Sequence, residues 1–168
     1  VVSGFDSRKD NLEVSSKPNA LALFNPALEL SGRVEARRSV MGDFALEISP
    51  FHQLLDSSVP TLIQHGIEDQ TVPFSDAENY CRKLEQLEGK CILFGYEEAG
   101  HGFFNKGVNN NRWFPITLER LDEFLVQLDY IKAVENYFKE KKSGVITIVS
   151  SIAGYRGLPN STGYGPSK

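Results

Sequence analysis

VPTLIQHGIEDQTVPFSDAENYCRKLEQLEGKCILFGYEEAGHGFFN, residues 59–105, holds two short apolar runs with a helical pattern between them. The runs VPTLIQ (59–64) and CILFGY (91–96) are bounded by turn residues and are too short for helices, which marks them as buried strands. Between them, Ala77, Cys81, Leu84 and Leu87 recur at helical spacing. Ser75, with Glu78 three residues later, predicts a capping box that starts this helix at Ser75, and Gly89 predicts its stop. Strands linked through a helix run parallel.

The pattern continues outward. ALALF (20–24) and VITIVS (145–150) read as two further strands, the latter rich in β-branched residues. A second helical pattern runs from about Ile116 through Leu121, Phe124, Leu125 and Leu128, and on through Ile131, Val134 and Phe138 to near Gly144. The expected fold class is α/β: an incomplete parallel sheet of about four strands flanked by helices. A right-handed crossover through the long helix would place strand 145–150 beside strand 91–96.

Open parallel sheets carry function at the carboxyl ends of their strands. Asp69 lies in the loop just past strand 59–64, and His101 in the loop just past strand 91–96. Neighbouring parallel strands would bring these loops together. A carboxylate beside an imidazole fixes the ring's tautomer and stabilises the imidazolium, so His101 could serve as a general base. Gly100 and Gly102 flank His101 and would let the chain turn tightly there. The alternatives are an incidental surface pair, or a metal site where His65, Asp69 and His101 converge without an evident fourth ligand. His65 reads as a strand-end packing residue, and His52 as a core or loop residue with no evident chemical partner.

The segment HGIEDQTVPFSDAENYCRKLEQLEGKCILFGYEEAGHGFFN resembles the carboxyl-terminal part of α/β-hydrolase-fold esterases. The nearest likeness is to acetyl-esterase and feruloyl-esterase-like enzymes, which also resemble the catalytic domains of prolyl peptidases. In that family a His-Gly-x-x-Asp-x-x-Val-Pro segment carries the triad acid and a His-Gly-Phe segment the triad histidine. The matching positions are Asp69 and His101. The likeness extends back to residue 1, through SSKPNALALFNPALEL (15–30), and forward to about Leu128. It implies carboxylic-ester hydrolysis without a cofactor, with a small-molecule or polysaccharide ester such as an acetylated plant glycan as substrate. A Gly-x-Ser-x-Gly elbow, which such enzymes use to present the nucleophile, does not occur in the 168 residues. Nor does a His-Gly-Gly-type oxyanion loop. The resemblance places the elbow just upstream of Val1, so the chain by itself is expected to be inactive.

The last stretch, KKSGVITIVSSIAGYRGLPNSTGYGPSK, raises another chemistry. Ser151 ends a strand, Tyr164 follows thirteen residues later, and Lys168 stands four beyond. On one helix face an ammonium would stabilise the phenolate and ready Tyr164 for proton exchange with a carbonyl or alcohol, with Ser151 bonding the same oxygen. This segment resembles the middle of a short-chain dehydrogenase/reductase over about residues 131–168. The resemblance makes Ser151, Tyr164 and Lys168 catalytic, with Tyr164 and Lys168 also meeting NAD(P). No Gly-rich dinucleotide loop accompanies them, so NAD(P) binding is not expected here. The chain thus reads as two parts, 1–130 and 131–168, with a seam in LVQLDYIKAVENY, and neither part carries its full catalytic set. The expectation is an assembled or fused fragment whose bare sheet edge favours self-association.

The totals fit one ordinary domain: 168 residues, 40% hydrophobic and 24% charged, with a net charge of −4. No basic field draws in nucleic acid or an acidic membrane, and RVEARR (33–38) reads as a solvated loop. No apolar run approaches membrane-spanning length. VVSGFDSRKD (1–10) lacks the features of a signal peptide, and the compartment, cytoplasmic or secreted, stays open. Cys81 and Cys91 have no zinc or redox spacing and read as two buried or half-buried thiols.

Overall fold

The computed structural model describes residues 18–31, 45–56, 59–129 and 140. Among these residues three strands form one parallel sheet in the order β1 (Leu21–Phe24), β2 (Thr61–Gly66), β3 (Cys91–Tyr96). Helices α1 (Ala45–Ile48) and α2 (Pro50–Gln53) precede β2, α3 (Phe74–Gln86) joins β2 to β3, and α4 (Phe114–Gln127) follows β3. The arrangement is the α/β, helix-flanked parallel sheet that the alternation predicts. The expected fourth strand, 145–150, lies outside the described residues. The chain divides into a unit ending at Leu121 and a second running from Asp122 to Lys168. The sheet and both candidate loops belong to the first.

All six residues of β2 are buried, as expected of a central strand covered on both faces. Side chains alternate along a strand, and paired residues of parallel neighbours point the same way. Ile63 pairs with Leu23 and Leu93, and these three pack with Ala77, Tyr80, Cys81 and Leu84 of α3. On the opposite face Gln64 reaches α4, donating from Nε2 to the Thr117 carbonyl at 2.9 Å, and accepts the Tyr96 hydroxyl at 2.5 Å. Tyr96, Ala99 and Phe103 form a second core there, joined by Phe94, Trp113 and Ile116. Full burial of an apolar side chain such as Leu84 contributes roughly 1.5–3 kcal/mol.

Several local readings are corrected. Helix α3 begins one residue before Ser75, at Phe74, and its N-cap is Pro73 with no side-chain cap hydrogen bond. Proline's fixed φ and lack of an N–H suit this position. At the other end the left-handed residue is Glu88 (φ 62), not Gly89. Gly89 is required for a different reason: a Cβ there would sit 2.6 Å from Leu84 Cδ1, while its N–H donates to the Leu84 carbonyl. The long second helix ends early, at Gln127. Its last turn closes as Asp129 N–H meets the Val126 carbonyl, with Asp129 at φ 56, a left-handed stop that aspartate tolerates.

The cysteines are also not free thiols. Cys81 on α3 and Cys91 at the start of β3 form a disulfide with Cα atoms 5.4 Å apart. Cys91 pairs with Thr61, in phase with Ile63, so its side chain points toward α3. A cross-link closing so short a loop stabilises by roughly 2–3 kcal/mol through chain entropy. Among the described residues no helix is long and apolar enough to cross a membrane.

Candidate active site

β2 and β3 run parallel in register, with Gly66 opposite Tyr96, so the loops leaving them start side by side. Ile67 N–H donates to the Tyr96 carbonyl at 2.9 Å and Glu68 N–H to the Ala99 carbonyl at 3.1 Å. These bonds lash the Asp69 loop to the His101 loop. Gly66 makes the approach possible, since a Cβ there would lie 2.2 Å from the Ala99 oxygen. Of the two glycines beside His101, only Gly102 has a left-handed φ (+76°); a Cβ on Gly100 would meet nothing nearer than 4.0 Å.

The loops bring the expected pair together. His101 Nδ1–H donates to Asp69 Oδ2 at 2.8 Å. The Asp69 side chain is wholly buried, whereas that of His101 is 43% exposed. Asp69 Oδ1 accepts the N–H groups of Thr71 (2.8 Å) and Val72 (2.9 Å), so the carboxylate is fixed before it reaches the ring. Burial pushes this carboxyl up, but the bonds from Val72, His101 and Thr71 outweigh it and hold it below its ordinary range. It is therefore an anion at neutral pH. With Nδ1–H committed to Asp69, the imidazole lone pair lies on Nε2, the atom a general base needs.

His65 completes the cluster from below. Its ring is fully buried, Nε2–H donates to the Val72 carbonyl at 3.0 Å, and Nε2 lies 3.4 Å from Asp69 Oδ2. Among the described residues, its Nδ1 and the Trp113 Nε1 are the two buried polar side-chain atoms without a hydrogen-bond partner. Burial, opposed chiefly by the Val72 carbonyl, holds the His65 pKa below its ordinary 6.5. The unfolded chain therefore takes up this proton first as pH falls. The contribution to stability is complete above about pH 6.5 and drains away below it, with a slope of up to about 1.4 kcal/mol per pH unit. Urea midpoints measured from pH 7.5 to 4.5 are expected to fall along that slope, and His65→Gln to flatten it. An equal slope in the variant assigns it to another group.

His65, Asp69 and His101 do converge, yet among the described residues no group of three or more His, Cys, Asp or Glu side chains is arranged to hold a metal ion. His52 has partners after all: Nδ1 lies 3.0 Å from Ser49 Oγ and 3.8 Å from Glu29 Oε1. Ser151, Tyr164 and Lys168 lie outside the described residues. Asn25 belongs to no motif in the sequence, yet it stands at the carboxyl end of β1 and its carboxamide bonds Gly66 at the end of β2 and Gly100 in the His101 loop. A polar residue directly after an apolar strand was its only signal.

Known proteins resemble this chain in sequence and in fold. The prolyl oligopeptidase family model matches residues 41–128, just over half of the chain. Among solved structures, the apo form of esterase 2 from Thermogutta terrifontis is 35% identical, with a TM-score of 0.71 over 77% of this chain and 49% of that one. The propionate-bound form of this thermophilic planctomycete esterase is 34% identical, with a TM-score of 0.69 over 77% and 50%. Esterase 2 phosphonylated by sarin is 34% identical, with a TM-score of 0.71 over 77% and 51%. The chain thus spans about half the length of the solved esterases it matches. No curated protein matches it. An α/β sheet whose strand ends hold an aspartate–histidine pair, together with these matches, places the chain: it belongs to the prolyl oligopeptidase family, with structural neighbours that are α/β-hydrolase esterases.

Proposed function

We propose that this chain supplies the acid and the base of a serine carboxylic-ester hydrolase. The observation that carries the reading is the 2.8 Å bond from His101 Nδ1 to a buried, otherwise satisfied Asp69 carboxylate. In the proposed mechanism Nε2 of His101 takes the proton of a serine hydroxyl as that oxygen attacks the ester carbonyl. His101 then passes the proton to the departing alkoxide. Asp69 holds the ring in the productive tautomer and stabilises the imidazolium. The 168 residues contain no Gly-x-Ser-x-Gly elbow, so the nucleophile and the oxyanion donors come from outside them, and the chain alone does not turn over ester. Esterase 2 has been solved with propionate and with butyrate bound, which supports short acyl esters as the substrate class, acetylated polysaccharide among them. No cofactor is needed for this chemistry.

The family match supports a second reading, cleavage of the amide bond after proline. The two are separated by joining this chain to an amino-terminal α/β-hydrolase half that carries a Gly-x-Ser-x-Gly elbow. Turnover of p-nitrophenyl butyrate is then compared with that of a prolyl p-nitroanilide. The ester reading expects kcat/KM for the butyrate to be higher by at least about a hundredfold, some 2.7 kcal/mol of barrier. A preference for the anilide would favour the peptidase.

For residues 131–168 the oxidoreductase reading rests on Ser151, Tyr164 and Lys168 in the sequence alone, since the family match stops at residue 128. In that reading the segment derives from an NAD(P)-dependent reductase and, without a dinucleotide loop, does not itself bind NAD(P).

A further inference from the structure

We infer that Asn25 is a positioning residue for the acid–base pair, an inference that rests on the hydrolase reading above. Asn25 follows β1 directly and is 95% buried, at 5% exposure. Its carboxamide is used at both ends. Oδ1 accepts the Gly66 N–H at 3.0 Å, and Nδ2–H donates to the Gly100 carbonyl at 3.3 Å. Gly66 opens the loop that carries Asp69, and the Asp69 N–H donates back to the Gly66 carbonyl at 3.3 Å. Gly100 immediately precedes His101. Its carbonyl and the His101 nitrogen belong to one rigid peptide plane, so fixing that oxygen fixes the direction in which the chain enters His101.

The backbone bonds between the two loops end at the Ala99 carbonyl. The tie from Asn25 therefore reaches the one peptide unit between that carbonyl and the imidazole-bearing residue. Asn25 also holds a left-handed φ of 44°, which is uncommon outside glycine but which asparagine adopts more readily than most residues. A non-glycine residue kept in that conformation, with both amide ends engaged, is what a clamp between loops requires.

The test uses the whole 168-residue chain and reads the pair itself rather than turnover. An Nδ1 proton held between imidazole and carboxylate resonates far downfield and exchanges slowly with water, and Asp69→Asn identifies it by its loss. Asn25→Gly keeps the left-handed backbone and removes the clamp. Asn25→Asp keeps the acceptor for Gly66 N–H but turns an anionic oxygen toward the Gly100 carbonyl. The expected result is loss of the downfield His101 proton in both variants, while amide signals of β1, β2 and β3 remain dispersed. Retention of that proton at its wild-type position in Asn25→Gly overturns the proposal, because the pair would then keep its geometry with no side chain at residue 25 to hold it. A clamp-dependent proton in a chain whose assembled enzyme hydrolyses no ester would leave Asn25 its role and refute the hydrolase reading instead.

Discussion

If the proposed hydrolase reading holds, Asp69→Asn lowers kcat of the assembled enzyme by about ten-thousand-fold, the loss expected when the carboxylate that orients a catalytic histidine becomes an amide. The cause is the tautomer. The Asn oxygen takes the place of Oδ1 and still accepts the N–H groups of Thr71 and Val72, so the loop keeps its shape. The amide nitrogen then occupies the place of Oδ2 and points its hydrogens at His101 Nδ1, formerly a donor at 2.8 Å. The ring answers by moving its proton to Nε2, and a protonated Nε2 cannot accept the serine proton. The same nitrogen faces His65 Nε2, 3.4 Å from the original oxygen, where two donors would meet. KM for p-nitrophenyl butyrate should change little, because neither atom binds the acyl group in the ground state. Pre-steady-state kinetics on the variant check this split. A kcat within tenfold of the parent would remove Asp69 from the mechanism.

The largest stability effect is expected at Gly66. In Gly66→Ala the new methyl would stand 2.2 Å from the Ala99 oxygen, 2.7 Å from its carbonyl carbon and 2.9 Å from the Gly100 oxygen. All three are backbone atoms, so no side-chain rotation relieves the clash. Either β2, which is buried along its whole length, or the Ala99–Gly100 backbone of the His101 loop must shift. Either shift breaks the Glu68-to-Ala99 bond and opens the packing beneath. A destabilisation of roughly 3 kcal/mol or more follows, at the upper end of what overpacking a core costs. Against a typical total of about 5–15 kcal/mol, that is a large share of a domain's stability. Gly100→Ala is the control, because its Cβ would meet nothing nearer than 4.0 Å; its cost should stay within about 1 kcal/mol. Urea unfolding of the two variants measures the contrast, and similar midpoints would show that the loops are not held in contact through Gly66.

Much of this site is legible in the sequence, and the parts that are not share a cause. The apolar runs at 59–64 and 91–96 need only local pattern to be read as strands, and their parallel pairing then brings Asp69 and His101 together at the carboxyl end of the sheet. The face of α3 is largely local: of Ala77, Cys81, Leu84 and Leu87, which recur at helical spacing, the first three are buried, whereas Leu87 is the half-buried C-cap, and Asp76 and Tyr80 are buried beside them. The disulfide is not local, because it depends on Cys91 sharing the phase of Ile63 and so pointing to the sheet face on which α3 carries Cys81. Asn25 depends on contacts 41 and 75 residues away, which no window of sequence contains. Helix ends fail for another reason. Glu88 and Asp129 take left-handed stops that composition assigns to glycine, and the apolar pattern running on past Asp129 hides the end of α4.

The most direct test of the central claim is the turnover of p-nitrophenyl butyrate by the assembled enzyme, shown beforehand to be folded, with His101 intact and with His101→Ala. A base that readies the nucleophile predicts measurable hydrolysis with His101 and a loss of about 10⁴–10⁶-fold in kcat without it. Hydrolysis that survives His101→Ala within about tenfold would contradict the account, because the proton of the attacking hydroxyl would then have another acceptor.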